Sequence, residues 1–474
     1  MKNILLCICL LIACLPARSQ TLALDSTTLD ITIAVDSTKL IAPFDIEWGF
    51  DNKLWITDAK TIKRWDPATG NIKTMYRMNR GYGLGLAVPK TMPLSGPAYV
   101  YAVFDTSYYY ANSAQLKLYR LEYNVAADTL LHPMALVTVP HFGEHSGGKV
   151  AIGTDGKVLL TTPEYEFVND TLNAMRGRVL RMNADGSAAA GNMRPDRTYS
   201  IGHRNSQGIV VLPDGKILAT EHSGPSEYDE VNLITPGGHY GWPALEGMDH
   251  CTGLGPDSCA SATYAASHKK PIYMGMMTPA GLDYYDHPAI PEWRNCLLVG
   301  TLYAPDTCLA VLKMNLTHDT VYSRRNYLKK NTGGINDLKR TRDICVAKDG
   351  SIYCIVRDRL LNIIGDSLIN QGCSIVKLKN NAYVPPPVSL GNVEGEGTLV
   401  YPVPADGHID MSIADERLLG ESYRVTDIYG RQMVAGKINE RQMRMETNAW
   451  PAGNYALIIN TANGSIMRKL VVVH

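Results

Sequence analysis

The stretch "LPDGKILATEH", Leu212 to His222, decides the fold. Asp214-Gly215 is a hairpin-turn pair, and the residues from Ile217 onward form an apolar run of strand length. The unit returns as "FDNKLWITDAKTIKRWDPATGNI" from Phe50 and as "GTDGKVLLTTPE" from Gly153 with "RGRVLRMNADGS" from Arg176. It returns again as "AKDGSIYCIVRD" from Ala347 with "SIVKLKN" from Ser374, while "NCLLVGTLYAPDTCLAVLKMN" from Asn295 is a variant without the Asp-Gly turn. A unit of a few strands repeating every ~50–60 residues is the mark of a β-propeller, and about 360 residues at that period give about six blades. Helical periodicity is scarce, which disfavours a parallel α/β fold. The expected class is all-β, a six-bladed β-propeller followed by a small C-terminal β-sandwich.

Composition agrees. The chain has 474 residues with 45% apolar and 19% charged, an ordinary globular balance that argues against long disorder. Lys+Arg and Asp+Glu both number 46, so no net charge draws the chain to nucleic acid or an anionic membrane. Gly (41) and Tyr (26) are abundant and Phe (5) is rare, which suits many turns between Tyr-bearing strands.

Residues 1–20, "MKNILLCICLLIACLPARSQ", read as a secretory signal peptide: Lys2, an apolar core from Ile4 to Leu15, and a small-residue cleavage region near Ser19 or Gln20. "LIAC", Leu11 to Cys14, also fits a lipoprotein signal, an alternative that "ARSQ" disfavours. Either route exports the protein and permits disulfides. Three of the ten cysteines fall in the leader, so seven remain and at least one stays unpaired. Cys251 and Cys259 bracket "TGLGPDS" as a local staple; a cysteine zinc site is not indicated.

The propeller is expected over 21–380. A stiff-then-flexible linker over 381–396 follows, carrying Pro385 to Pro387. Beyond it, 397–474 holds short strands with turn signals at about 8–12-residue spacing, the pattern of a β-sandwich. "VYPVPADGHIDMSI", "VTDIYGRQMVAG" and "WPAGNYALIIN" up to "IMRKLVVVH" resemble the C-terminal sorting domain of type IX secretion cargo. The resemblance implies outer-membrane secretion machinery as a partner and a secreted or cell-surface location.

Three polar clusters interrupt the strands in the middle of the chain: "HFGEHSGGKV", with Glu144 and His145; "TTPEYE", with Glu164; and "GHRNSQG", with Arg204 and Asn205, continuing to "EHSGPSEYDEVN". Loops at the mouth of a propeller channel converge, so strand-end residues from successive blades can build one site. A His beside two carboxylates is a plausible general base, since they orient one tautomer and raise its basicity. An Arg facing it stabilises oxygen charge. The Gly-Pro of "SGPSEYDE" would expose carbonyl oxygens that Ca²⁺ accepts.

In their order, these pieces with "GRVLRMNADGS", "GGHYGWP" and "LKRTRDICVAKDGSIYCI" resemble the glucose/sorbosone dehydrogenase family, soluble six-bladed enzymes that use pyrroloquinoline quinone (PQQ) and Ca²⁺. The resemblance runs from about Leu40 to Lys379. It implies oxidation of a sugar or related alcohol, with electrons passing to an external acceptor. It implies His145 as the base, Glu144 and Glu164 as flanking acids, and Arg204 and Asn205 on the quinone oxygens. Gly224 and Pro225 become calcium ligands through their carbonyls, and Asp229 and Glu230 an acidic stretch for structural calcium. Arg340 and Arg342 become clamps on the cofactor's carboxylates, where bidentate pairing favours arginine. Three departures stand out: Tyr303 where glucose-oxidising members carry a lysine, Arg80 or Gly81 in place of a glutamine, and the additional Ser223. An alternative is a secreted propeller without turnover that binds a carbohydrate or protein partner. Without the resemblance, His145 is a turn histidine, Arg204 an ion-pair partner of Glu164 or Glu221, and Trp48, Trp55 and Trp242 are blade packing.

Overall fold

The computed structural model describes residues 20–93, 96–106, 114–141, 145, 147–164, 175–222, 224, 228–253, 268–302, 309–328, 340–356, 363–364, 367–368, 372–385, 398–401, 405–427, 430–461 and 464–473. The chain divides into two units between Ala382 and Tyr383. Among the described residues helix is confined to two 3₁₀ turns, Pro291–Trp293 and Glu416–Leu418. No helix among them is long and apolar enough to cross a membrane.

The first unit is a succession of antiparallel sheets. Sheet I is Pro43–Trp48, Leu54–Asp58, Thr61–Trp65 and Ile72–Arg77. Sheet II is Tyr82–Ala87, Ala98–Asp105, Ala114–Asn124 and Thr129–His141. Sheet III is Val150–Ile152, Val158–Thr162, Arg178–Met182 and Thr198–Ile201. Sheet IV is Ser206–Val211, Ile217–Glu221, Glu230–Ile234 and Tyr273–Met274. Sheet V is Pro279–Tyr285, Cys296–Thr301, Leu309–Met314 and Val321–Tyr327. Sheet VI is built from Thr341–Val346, Ile352–Val356 and Ser374–Lys379, to which the N-terminal strands Thr28–Val35 and then Gln20–Ala23 add at the edge.

The repeated turn explains why sheets III, IV and VI start alike. In "GTDGK", Lys157 N–H donates to Asp155 Oδ1 (3.0 Å) and Gly153 N–H to the Lys157 carbonyl (2.8 Å). In "LPDGK" the same two bonds join Lys216 to Asp214 (3.1 Å) and Leu212 to Lys216 (2.8 Å), and in "AKDGS" Ser351 to Asp349 (3.0 Å) and Ala347 to Ser351 (2.8 Å). The left-handed position falls on Gly215, φ +86°, where glycine carries no Cβ penalty.

Each sheet shares an apolar core with the next. Trp55 and Phe104 join sheets I and II, Leu118 and Leu160 join II and III, and Val179 and Ile217 join III and IV. Leu218 and Val299 join IV and V, and Leu298 and Ile352 join V and VI. Ile355 of sheet VI then packs in one cluster with Ile56 of sheet I. The first strands of successive sheets lie side by side in chain order, and Thr341–Val346 packs back on Pro43–Trp48. Their later residues line a cavity of ≈ 480 Å³ that includes Glu47, Lys90, Pro213 and Asp283. The starts of these strands lie at the opposite end, and the candidate residues gather there.

The second unit has two antiparallel sheets around one core. Thr398–Tyr401, His408–Ile413 and Gln442–Glu446 form the smaller; Gln432–Lys437, Ser422–Asp427, Gly453–Thr461 and Gly464–Val472 form the larger. The strand His408–Ile413 alternates half-buried and buried residues, the period-2 pattern of a strand with one face on a core. Ile409, Met411, Val425 and Leu457 are fully buried in that core.

Candidate active site

The "GHRNSQG" turn is organised by one buried acid. His203 is completely buried, its Nδ1 2.9 Å from Glu221 Oε2 and its Nε2 2.9 Å from Ser200 Oγ, with its ring stacked on Tyr240 at 4.6 Å. The other oxygen of Glu221 accepts the main-chain N–H of Arg204. Glu221 therefore meets the backbone of Arg204, and the guanidinium lies over the Trp242 ring, 5.2 Å from its centroid. Gly202 has φ +80°, and a Cβ there would come within 2.7 Å of His239 Nδ1, so the turn requires glycine. Trp242 is buried and carries the Arg204 side chain on its ring.

His145 faces this turn. Its Nδ1 lies 2.9 Å from the main-chain oxygen of Glu164, and the Glu164 N–H in turn donates to the Arg204 carbonyl (2.7 Å). A carbonyl can only accept, so Nδ1 carries the hydrogen and Nε2 is left as the basic atom. The contact that fixes this orientation is made by the main chain of Glu164. The expected rise in basicity is reversed: burial, then the Arg204 charge, push the His145 pKa down to about 4. The imidazole is neutral near pH 7. Glu164 is buried, its Cβ within 3.2 Å of the Cβ position of Gly177; Glu144 lies outside the described residues.

A second histidine, not anticipated from sequence, completes the cluster. His222 Nε2 is 2.6 Å from the Pro279 carbonyl, which turns Nδ1 toward Asn205 Nδ2 at 3.5 Å. Asn205 is buried, and its Oδ1 accepts Gln207 Nε2 at 2.7 Å. Burial and the charges of Arg342 and Arg204 push the His222 pKa down to about 4 against the opposing pull of Asp229. Arg342 is buried with its guanidinium 3.6 Å from the centroid of Phe44, and Arg340 is half-buried two residues earlier. His145, Arg204, His222 and Arg342 thus share one electrostatic neighbourhood. The only sequence signal for His222 was its place in "EHSGP".

Beneath the turn, Glu230, Glu246, Glu221 and Trp242 line a pocket of ≈ 10 Å³, about the room of one water or ion. Gly224 N–H donates to Glu246 Oε2 (2.5 Å), while Glu246 Oε1 is buried with no hydrogen-bond partner among the described residues. Glu230 accepts Gly247 N–H (2.5 Å) and Asn232 Nδ2 (2.8 Å); burial, then the charge of Glu221, push its pKa up to about 8. Asp229 Oδ2 accepts the N–H groups of Met277 (2.8 Å) and Thr278 (2.6 Å), which gives this carboxylate a bracing contact to the chain entering sheet V. No set of three or more His, Cys, Asp or Glu among the described residues closes around a common point. Pro225, Ser223 and Tyr303 lie outside the described residues, as does residues 1–19 of the expected leader. Cys251 is disulfide-bonded; Cys259, its expected partner, also lies outside them. Cys296, Cys345, Cys354 and Cys373 are free and buried.

A histidine held in one tautomer thus stands beside arginines at the strand starts of successive antiparallel sheets on an all-β scaffold. The chain belongs to the glucose/sorbosone dehydrogenase family, whose profile matches residues 43–364. A secretion system C-terminal sorting domain matches 399–473. Quinoprotein glucose dehydrogenase B of Acinetobacter calcoaceticus is 31% identical over 275 residues, 50% of this chain and 56% of that protein. The chain thus spans little more than half the length of the curated relatives it matches. The PQQ-bound aldose sugar dehydrogenase of Streptomyces coelicolor has the same fold, with a TM-score of 0.54 at 20% identity over 74% of this chain and 98% of that one. So does the apo aldose sugar dehydrogenase of Escherichia coli, with a TM-score of 0.57 at 18% identity over 74% and 99%.

Proposed function

We propose that the protein is a PQQ- and Ca²⁺-dependent dehydrogenase that oxidises a sugar or related alcohol outside the cytoplasm. The observation that carries the reading is the His145 tautomer. Nδ1 is committed to the Glu164 carbonyl, so Nε2 is the acceptor for the substrate hydroxyl proton. When bound, the quinone supplies the hydride acceptor, and an external acceptor reoxidises it.

The chain's own residues prepare that step. Arg204 and Asn205 are the groups to meet quinone oxygens, with Arg204 held over Trp242 and its backbone clamped by Glu221. Arg340 and Arg342 are suited to cofactor carboxylates, Arg342 being fixed against Phe44. The orphaned Glu246 Oε1 beside Gly224 supports a hard cation here, with the Gly224 and Pro225 carbonyls and Glu230 as further oxygen donors. Asp229 is turned to the backbone of Met277 and Thr278, so its part in cation binding is the less supported.

The cyclic succession of shared cores supports reading the six sheets as six blades. The two sheets of the second unit are read as a sandwich that serves type IX export, preceded by the 381–396 linker and, at the other end of the chain, by a cleaved Sec signal over 1–20. The test is reconstitution of the full mature chain with PQQ and Ca²⁺, following dye reduction over a panel of aldoses and polyols. Turnover lost in His145→Ala supports the reading; absence of PQQ binding by titration overturns it.

A further inference from the structure

Lys149 closes the His145 loop, directly after Gly147 (φ +47°) and Gly148 (φ +71°). It is 4% exposed, and its ammonium lies 3.1 Å from Asp45 Oδ2 and 2.9 Å from Asp343 Oδ1. Both carboxylates are as buried as the lysine. Each also reaches a neighbouring strand: Asp45 Oδ2 accepts Leu86 N–H (2.9 Å), and Asp343 Oδ2 accepts Ile46 N–H (2.8 Å). One cation thereby ties the first strands of sheets I, II, III and VI. Sheet V joins by shape, since a Cβ on Gly281 would lie 1.5 Å from Asp343 Oδ1.

The three residues also sit one step from the site. Asp343 follows Arg342, and Asp45 follows Phe44, the ring under Arg342; Lys149 Nζ is 5.8 Å from that same ring. On the loop side, Lys149 N–H donates to Thr161 Oγ1 (3.0 Å) and Thr161 N–H to the Lys149 carbonyl (2.9 Å). Thr161 leads within three residues to Glu164, whose carbonyl holds His145. Both ends of the His145–Glu164 contact are therefore anchored where Lys149 is anchored.

We propose that Lys149, with Asp45 and Asp343, forms a positioning centre that sets the His145 loop and the Arg342 strand at their working distance. This rests on the reading of His145 and Arg342 above. Gly148 N–H donates to the Thr161 carbonyl (3.0 Å), and the buried ion triad fixes where this end of the His145 loop sits. A site of this kind loses function when its support loosens by about an ångström.

Lys149→Met alone would leave Asp45 and Asp343 without their shared cation, so the paired variant Lys149→Met/Asp343→Asn is compared with Lys149→Arg in the full mature chain. Three quantities are read: the thermal midpoint, PQQ affinity by fluorescence titration with Ca²⁺ present, and the ¹⁵N shifts of the His145 ring in the cofactor-free protein. The expected result is a folded paired variant with PQQ affinity at least tenfold weaker and His145 shifts moved toward tautomer averaging, both restored in Lys149→Arg. Affinity within twofold of the parent and unchanged His145 shifts, whatever the thermal midpoint does, overturn the proposal. If the parent itself binds no PQQ, the functional reading fails by that result alone, and the His145 shifts still decide the positioning claim.

Discussion

The Nδ1 of His145 lies 2.9 Å from the main-chain oxygen of Glu164, so the tautomer of this imidazole is selected by a backbone carbonyl. A side-chain substitution at Glu164 leaves this carbonyl in place. His145→Gln is expected to lower kcat by about 10²–10⁴-fold, and Glu164→Gln by clearly less. Steady-state rates of the two reconstituted variants check the ranking.

The acid limb of the rate profile should follow His145. Burial and Arg204 push its pKa down to about 4, so the base is unprotonated from about pH 5 upward. kcat/KM is expected to be flat with respect to this group across neutral pH and to fall about tenfold per unit below pH 4. A limb near the ordinary histidine value of 6.5 would contradict the assignment.

Stability should fall in the same direction. His145, His222 and His239 are each held near 4, against 6.5 for an exposed imidazole. Between those values these three histidines bind more protons in the unfolded chain than in the folded one, so their contribution to stability is fully present above pH 6.5 and is lost as pH drops toward 4. Glu230, pushed up to about 8, works the other way, giving up its proton on unfolding. His239→Gln is therefore expected to flatten the fall of the thermal midpoint between pH 7 and pH 4 relative to the parent.

Arg204 and Glu221 should separate binding from folding. Arg204→Ala removes the guanidinium over Trp242 but keeps the main-chain N–H that Glu221 accepts. It is expected to lose PQQ affinity with a thermal midpoint close to the parent. Glu221→Ala strips partners from buried His203, Arg204 N–H and Ser206 Oγ (3.3 Å), at ~1–3 kcal/mol for each buried group left unsatisfied. That variant should melt well below the parent; equal midpoints would refute the clamp.

Glu246 offers a readout for the cation. Calcium that binds the folded chain raises its melting temperature with the logarithm of ligand excess over Kd. The parent is expected to show this rise, and Glu246→Gln, which neutralises the orphaned oxygen beside Gly224, to show much less of it. A full rise in the variant would place the cation elsewhere.

Gly281 checks the packing of sheet V on the ion triad. Gly281→Ala would put a methyl 1.5 Å from Asp343 Oδ1, so backbone or carboxylate must shift. Overpacking costs typically ~1–3 kcal/mol, which denaturant melts will resolve.

Much of this was readable in the chain. The Asp-Gly turns at Asp155, Asp214 and Asp349 stand where expected because the Asx contact and the left-handed glycine are local and need nothing from the rest of the fold. The strands of the second unit, such as His408–Ile413 and Ser422–Asp427, were legible by alternation. His145, Arg204, Asn205 and Arg342 were legible as motif residues. His222 and Lys149 were not, since a histidine in a loop and a lysine after two glycines carry no local signal.

Local chemistry thus determined the hairpins, the all-β class and which residue types stand at strand starts, because turn propensity and side-chain alternation act over a few residues. Long-range packing decided the rest. The strand Thr28–Val35 pairs with Ser374–Lys379 from the far end of the first unit, and no local pattern marks that pairing. The same holds for His145: its tautomer comes from a carbonyl of another segment, and its neutral state from burial and then the Arg204 guanidinium. Dielectric environment and non-local hydrogen bonds exist only once the sheets are packed, so the sequence singled out His145 and the tertiary structure set its charge.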